Sequence, residues 1–278
     1  MSLEFAVIGS TGKTGRRVAD LLEARGHRVR RLARRTTPVF DWEHPEHWAA
    51  ALQGVDRLYA AYVPDLAAPG SEAAITRLAE VAHEAGVQRI VLLSGRGEDG
   101  ARRCEDILLA STVPATIVRA SWFAQNFTEG VLSDAAVTGV LALPAGDVRE
   151  PFVDVDDVAA VAVEALTGAG PDHEHRVHEV TGPESLTFAE IAVMLSETTG
   201  REIVYVPMGF DEFHAAIAAE DGEDVATLLT ELCRETLDGR NVLPTDGVRA
   251  ALGRAPRGVR SVLAAAATAS TPTPTPAS

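Results

Sequence analysis

Seven residues near the start of the chain, Gly9-Ser10-Thr11-Gly12-Lys13-Thr14-Gly15, set three glycines at three-residue spacing among small hydroxylated residues. They follow the apolar run Phe5 to Ile8 and precede Arg16 to Arg25, where Val18, Leu21 and Leu22 share one helical face. A strand, turn and helix of this composition suit a pyrophosphate. The glycines permit a tight turn, let the backbone approach the anion and bring the helix onto the sheet, while the helix N-terminus faces negative charge. All seven residues are therefore candidate cofactor contacts. Lys13 does not make this a nucleoside-triphosphate loop, because GxxxxGK[ST] needs a glycine five positions before Gly12 and Val7 stands there.

The next informative side chains follow the second apolar run, His27 to Ala33. An NAD site usually offers an acid roughly 20 residues beyond the loop to hold the ribose 2′-hydroxyl. Here the chain offers Arg34 and Arg35, whose guanidinium groups match a 2′-phosphate, so NADP(H) is the expected cofactor. A solvated basic face made of Arg30, Arg31, Arg34 and Arg35 stays open as the alternative. Asp41, at the end of a short third strand expected near Pro38 to Trp42, suits either the adenine amino group or a turn. In an open parallel sheet, ligands sit beyond the carboxyl ends of the strands. That places Tyr62 and Val63 (at the end of the fourth strand, Arg57 to Tyr62), Ser94 (at the end of the fifth, Arg89 to Leu93) and Trp122, Phe123 and Asn126 (after the sixth, Ala115 to Arg119) around the nicotinamide and substrate. Structural alternatives stand beside each: Tyr62 and Trp122 as core aromatics, Ser94 as a turn cap, Asn126 as a helix cap.

These residues need a frame, and the alternation of β-branched runs with amphipathic stretches supplies it. The expected fold class is α/β, a Rossmann-like doubly wound parallel sheet of seven strands with a small α/β C-terminal substrate lobe. Residues 1–150 form the expected NADP(H)-binding core, 151–264 a lobe interleaved with it, and 265–278 a disordered Pro/Thr tail ending in STPTPTPAS. Of the 278 residues, 46% are hydrophobic, enough for a large core; 40 acidic against 25 basic residues give a net charge of −15, which opposes binding to nucleic acid or anionic membranes. No run approaches the ~18 apolar residues of a membrane span. No signal peptide fits before the loop, and a cytoplasmic location is expected.

The chain resembles the NmrA-like group of atypical short-chain dehydrogenase/reductases, which includes bacterial NADPH-dependent quinone reductases. The residues that carry the resemblance reach to about Ala264: GSTGKTG at 9–15, Arg34, GVDRLYAAYVP from Gly54, VQRIVLLSG from Val87, VPATIVRASWFAQNF from Val113, PFVDVDDVAAVAVEAL from Pro151, HEVTGPESLTFAEIAVMLSETTGREIVYV from His178 and DGVRAALGRAPR from Asp246. It implies that Gly9, Thr11, Gly12, Thr14 and Gly15 meet the pyrophosphate and Arg34 the 2′-phosphate.

The wider superfamily protonates its substrate with a Tyr and Lys spaced YxxxK, and this chain lacks them: after Ser94 it reads GRGEDGARRCEDILLAS. Ala101 stands near the place where relatives often carry a lysine, beside Arg102 and Arg103, and arginine is a poor proton donor. Quinones and other conjugated acceptors delocalise the charge that hydride transfer creates, so a reductase of a quinone or conjugated aromatic carbonyl survives the gap. A non-catalytic NADP(H)-binding redox sensor acting through a protein partner, or a non-redox enzyme of secondary metabolism, remain alternatives. Tyr62, Ser94 and His214, the last on a helix that in relatives faces substrate, are the weak catalytic candidates. No metal is expected: His173, His175 and His178 lack completing ligands. Asp154, Asp156 and Asp157 read as acids at a helix start, and Cys104, beside Arg102 and Arg103, as a buried thiol rather than a reactive one. The expected partner is a small aromatic or quinone substrate, and the expected assembly a monomer or homodimer.

Overall fold

The computed structural model describes residues 3–130, 132–168 and 174–270, the side chains of 269 and 270 excepted. The histidine at position 173 and the Pro/Thr tail beyond 270 lie outside the described residues. The chain opens with β1 (Glu4–Ile8), α1 (Lys13–Ala24), β2 (Arg28–Leu32), α2 (Trp48–Leu52), β3 (Arg57–Ala60), α3 (Ser71–Glu84), β4 (Arg89–Gly95), α4 (Asp99–Leu109) and β5 (Ala115–Ala120). It continues with α5 (Ala135–Thr138), β6 (Val140–Leu143), β7 (Arg149–Glu150), α6 (Val155–Thr167), β8 (Arg176–Val180), β9 (Leu186–Thr187), α7 (Phe188–Thr199), β10 (Val204–Pro207), α8 (Phe210–Asp221), α9 (Glu223–Thr236), α10 (Gly247–Leu252) and α11 (Val259–Ser270).

Six strands form a parallel sheet in the order β2-β1-β3-β4-β5-β8. The inner strands are near-continuous apolar runs, FAVI, RIVLL and ATIV, because helices cover both faces of a parallel sheet and no strand residue can point to water. The chain goes from β1 outward to β2 and returns past β1 to β3. The strand order therefore reverses between β1 and β3, and the crevice at their carboxyl ends is where such sheets take ligands. At the opposite ends of the strands, Arg89 and Arg57, the first residues of β4 and β3, hold the last turn of α6. Arg89 Nη1 donates to the carbonyls of Ala165 (2.9 Å) and Gly168 (3.0 Å), and Arg57 Nη1 donates to that of Leu166, satisfying orphan acceptors at a helix C-terminus.

The expected strand at Pro38 to Trp42 does not form, so the sheet has six strands rather than seven. Its residues follow an aromatic cluster instead of a ladder. Phe40 stacks on Trp48 at 5.1 Å, Trp42 meets both edge-on, Trp42 Nε1 donates to the Ala61 carbonyl (3.2 Å), and Trp48 Nε1 donates to that of Asp41 (2.7 Å). Beyond β5, Ala124–Phe127 form a single 3₁₀ turn, and Phe123 and Val153 make one isolated bridge before α6 begins.

The chain divides into two compact units. Unit 1 takes residues 1–121, 155–181 and 245–255, hence the whole six-stranded sheet with α1 to α4, α6 and α10. Unit 2 takes 122–154, 182–244 and 256–278, with the two-stranded pairs β6-β10 and β7-β9 and helices α5, α7, α8, α9 and α11. Its core centres on Phe188 at the start of α7, where Phe152 lies 5.2 Å away edge-on and Phe127, Trp122 and Tyr205 complete the ring cluster. Thr187 fixes that start by a capping box: its hydroxyl accepts from Glu190 N–H, and the Glu190 carboxylate accepts from Thr187 N–H. Among the described residues no helix is long and apolar enough to cross a membrane. Truncating Phe188 to alanine removes the ring all four others contact, and urea unfolding should show a loss of about 3–5 kcal/mol; a loss below ~1 kcal/mol would show that the cluster contributes little.

Candidate functional site

The turn after β1 is held mostly by backbone and by glycine, with the Ser10 hydroxyl also donating to the Leu32 carbonyl at 3.2 Å. Gly9 sits at φ +77°, which favours glycine, and its N–H and that of Ser10 both donate to the Leu32 carbonyl (3.0 and 3.2 Å), tying the turn to the end of β2. Gly12 N–H donates back to the Gly9 carbonyl at 2.9 Å. A Cβ on Gly15 would lie 2.2 Å from the same carbonyl oxygen, so only glycine lets α1 pass this close. Thr11 and Gly12 are exposed at the tip, while Ser10, Thr14 and Gly15 are buried and Lys13 is partly so. No side chain caps the start of α1 and no acid occupies its first turn. The positive end of the helix dipole is therefore open to an anion.

Five arginines lie in β2 and just after it; Arg28 pairs with Glu4 at 3.2 Å, and the structure treats the other four differently. Arg30 Nη1 donates to the carbonyls of Ala51 (2.8 Å) and Gln53 (2.9 Å), and Arg31 is clamped by Asp20 and Glu23, a pairing that pushes its guanidinium further up. Arg34 and Arg35 are exposed and have no hydrogen-bond or ion-pair partner among the described residues. The basic face that the sequence left open is thus divided: two arginines serve the fold, and two extend beyond β2, whose last carbonyl anchors the loop. Asp41 follows no strand. It belongs to a turn, its carboxylate accepting from Glu43 N–H (3.2 Å).

Beyond β3, Tyr62 lies partly buried with its ring 4.8 Å from that of Trp42, and burial pushes its phenol up; Val63 beside it is exposed. Ser94, near the end of β4, is buried and donates to Glu105 Oε1 of α4 at 2.7 Å. Glu105 is itself buried and is gripped by Arg119 of β5, whose Nε donates to Oε1 at 2.8 Å and whose Nη2 donates to Oε2. Arg119 reaches on to Glu179 of β8 (3.4 Å), and Arg96 pairs with the other oxygen of Glu179. Sequence reasoning found Ser94 but missed Glu105, Arg119, Glu179 and Arg96. The one available signal was an arginine in the otherwise apolar run of β5, which a buried acid must answer.

Comparison with known proteins places this geometry. The NmrA-like family model matches residues 1–234. The chain belongs to the NmrA-like family. It is 32% identical to the (4-alkanoyl-5-oxo-2,5-dihydrofuran-3-yl)methyl phosphate reductase of Streptomyces griseus subsp. griseus, over 91% of this chain and 94% of that one. It is 29% identical to the NAD(P)H azoreductase of Xenophilus azovorans, over 81% and 85% respectively. Among solved structures, an NADPH-dependent quinone oxidoreductase from Escherichia coli superposes with a TM-score of 0.73 at 21% identity, over 94% of this chain and 98% of that one, and shows the shared fold.

The other candidates in this NmrA-like chain lie in unit 2 or serve packing. Trp122 is partly buried, its Nε1 donating to Thr236 Oγ1 at 3.1 Å. Phe123 pairs with Val153, and Asn126 lies in the 3₁₀ turn with its N–H donating to the Phe123 carbonyl. His214 of α8 faces α9, with Nε2 3.4 Å from Thr227 Oγ1 and 3.5 Å from Glu223. The three acids before and within α6 each meet an arginine: Asp154 with Arg257 at 3.0 Å, Asp156 with Arg17 at 2.6 Å, and Asp157 with Arg254 at 2.6 Å. No group of three metal-ligating side chains occurs among the described residues. Both thiols are buried; desolvation raises that of Cys104, which lies against Ser71 and Leu66, and pushes that of Cys233 up to about 12. Folded protein at pH 8 should therefore resist Ellman's reagent until guanidinium exposes the two thiols; rapid labelling of the native state would show a reactive cysteine.

Proposed function

We propose that this NmrA-like protein is an NADP(H)-dependent oxidoreductase that reduces a quinone or a conjugated aromatic carbonyl by hydride transfer without a Tyr/Lys proton relay. The observation that carries the cofactor is the pair Arg34 and Arg35, two exposed guanidinium groups without a partner among the described residues, following the strand whose end anchors the glycine loop. A dinucleotide with a 2′-phosphate would lay its pyrophosphate over Thr11 and Gly12 at the open start of α1 and its 2′-phosphate against Arg34, with Arg35 available to the phosphate or the adenine face. The cofactor, when bound, supplies the hydride. The proton that completes the reduction comes from solvent, since burial shifts Tyr62 away from acidity and the Ser94 hydroxyl is already committed as hydrogen-bond donor to the Glu105 carboxylate. Support for a conjugated acceptor comes from the names of two relatives, a (4-alkanoyl-5-oxo-2,5-dihydrofuran-3-yl)methyl phosphate reductase and an NAD(P)H azoreductase, since acylated dihydrofuranones and azo groups are conjugated systems. In such acceptors, negative charge spreads over the π-system as hydride arrives, so a positioned acid contributes less. Trp122, Phe123 and Asn126 are the proposed substrate-facing residues of unit 2.

Two outcomes test this. Arg34→Glu should weaken NADPH by about 10- to 100-fold, the worth of charge-assisted hydrogen bonds, while leaving NADH nearly unchanged. Equal losses for both cofactors by calorimetry would remove Arg34 as the 2′-phosphate partner. With benzoquinones, naphthoquinones and anthraquinones as acceptors, NADPH oxidation at 340 nm should run well above the uncatalysed rate, ~10-fold or more, and faster than with NADH. Tight NADP(H) binding with no turnover on any acceptor would favour the redox-sensor reading instead.

A further inference from the structure

Glu105 is a buried carboxylate that the proposed reaction does not use. It accepts from Arg119 on both oxygens, with Arg102 a further 3.7 Å away, and the proximity of Glu105 raises the Arg119 guanidinium. A carboxylate held by a bidentate arginine is ionised and has no proton to give. The 2.7 Å contact between Ser94 Oγ and Glu105 Oε1 therefore has one possible polarity, with the serine donating. Ser94 Oγ has no other hydrogen-bond partner among the described residues, and its remaining lone pairs can only accept. The neighbouring charges are already matched, Arg119 with Glu105 and Glu179, and Arg96 with Glu179, so Ser94 is the neutral member of a balanced cluster at the carboxyl ends of β4, β5 and β8.

We propose that Glu105, held by Arg119, is a positioning residue that fixes Ser94 as an obligate hydrogen-bond acceptor for a donor on the nicotinamide riboside end of the cofactor. The inference rests on the cofactor reading above and assigns a polarity to one of its contacts. Two donors exist at that end, the carboxamide NH2 and the ribose hydroxyls. The same polarity means that Ser94 does not protonate the substrate.

Calorimetric titration of wild type, Ser94→Ala, Glu105→Gln and the double variant with NADP+, 2′-phospho-ADP-ribose and 2′,5′-ADP separates the possibilities. The second ligand lacks the nicotinamide and the third lacks its ribose as well. Ser94→Ala should weaken NADP+ by about 3- to 10-fold, the value of one neutral hydrogen bond, and leave 2′,5′-ADP unchanged. An undiminished affinity for 2′-phospho-ADP-ribose would assign the donor to the carboxamide, and a matching loss would assign it to the ribose. Glu105→Gln, in which Arg119 keeps Glu179 as a partner, should show the same ligand pattern, and adding it to Ser94→Ala should cost nothing more. No loss with Ser94→Ala, equal losses across all three ligands, or additive losses in the double variant would each overturn the inference. Failure of the wild type to bind any of the three would instead overturn the cofactor reading beneath it.

Discussion

The site depends on one close approach, that of α1 to the turn after β1. Gly15 brings the helix so near the Gly9 carbonyl that a single methyl group would overlap it by more than an ångström of ordinary contact distance. That approach places an uncapped helix start at the carboxyl end of the central sheet, where strand order reverses. The Leu32 carbonyl holds the turn, taking the N–H groups of Gly9 and Ser10 and the Ser10 hydroxyl. Because no side chain among the described residues caps α1 and its first turn holds no acid, an anionic ligand would meet backbone amides and a helix dipole rather than a competing acid.

Around this centre the protein disposes of its charges selectively. With a net charge of −15 it is strongly acidic, yet three of its buried acids meet an arginine: Glu105 with Arg119, Asp157 with Arg254, Asp154 with Arg257. An unpaired buried charge would be costly, so these arginines belong to the fold and are not available to ligands. Arg34 and Arg35 stand outside this pairing. In a predominantly negative field, two cations without a partner among the described residues would, on the proposed reading, favour a polyanionic dinucleotide and bias the site toward a 2′-phosphate.

What could be read from sequence follows the distance over which each signal acts. The glycine turn, its flanking strand and helix, and the arginines after β2 lie within about 30 residues of one another, and local pattern suffices to find them. The parallel α/β class was legible for the same reason, as β-branched runs alternating with amphipathic helices. The third strand was not, because Phe40, Trp42 and Trp48 satisfy themselves by packing rings together, and an aromatic-rich run reads as a strand whether or not a ladder forms. Ser94 could be placed at a strand end, but its partner in α4 and the arginine behind it come together only through the sheet register that sets Ser94 beside Arg119. Asp154, Asp156 and Asp157 were visible as acids at a helix start, while their arginine partners, distant in sequence, were not.

The central claim, that the Gly9 to Gly15 turn with Arg34 and Arg35 forms an NADP(H) site, is tested most directly by calorimetric titration of the wild-type protein with NADPH and NADH. Saturable binding of one dinucleotide per chain, with NADPH tighter by about tenfold or more, is the expected result. Absence of binding by either cofactor, or a preference for NADH, would contradict it.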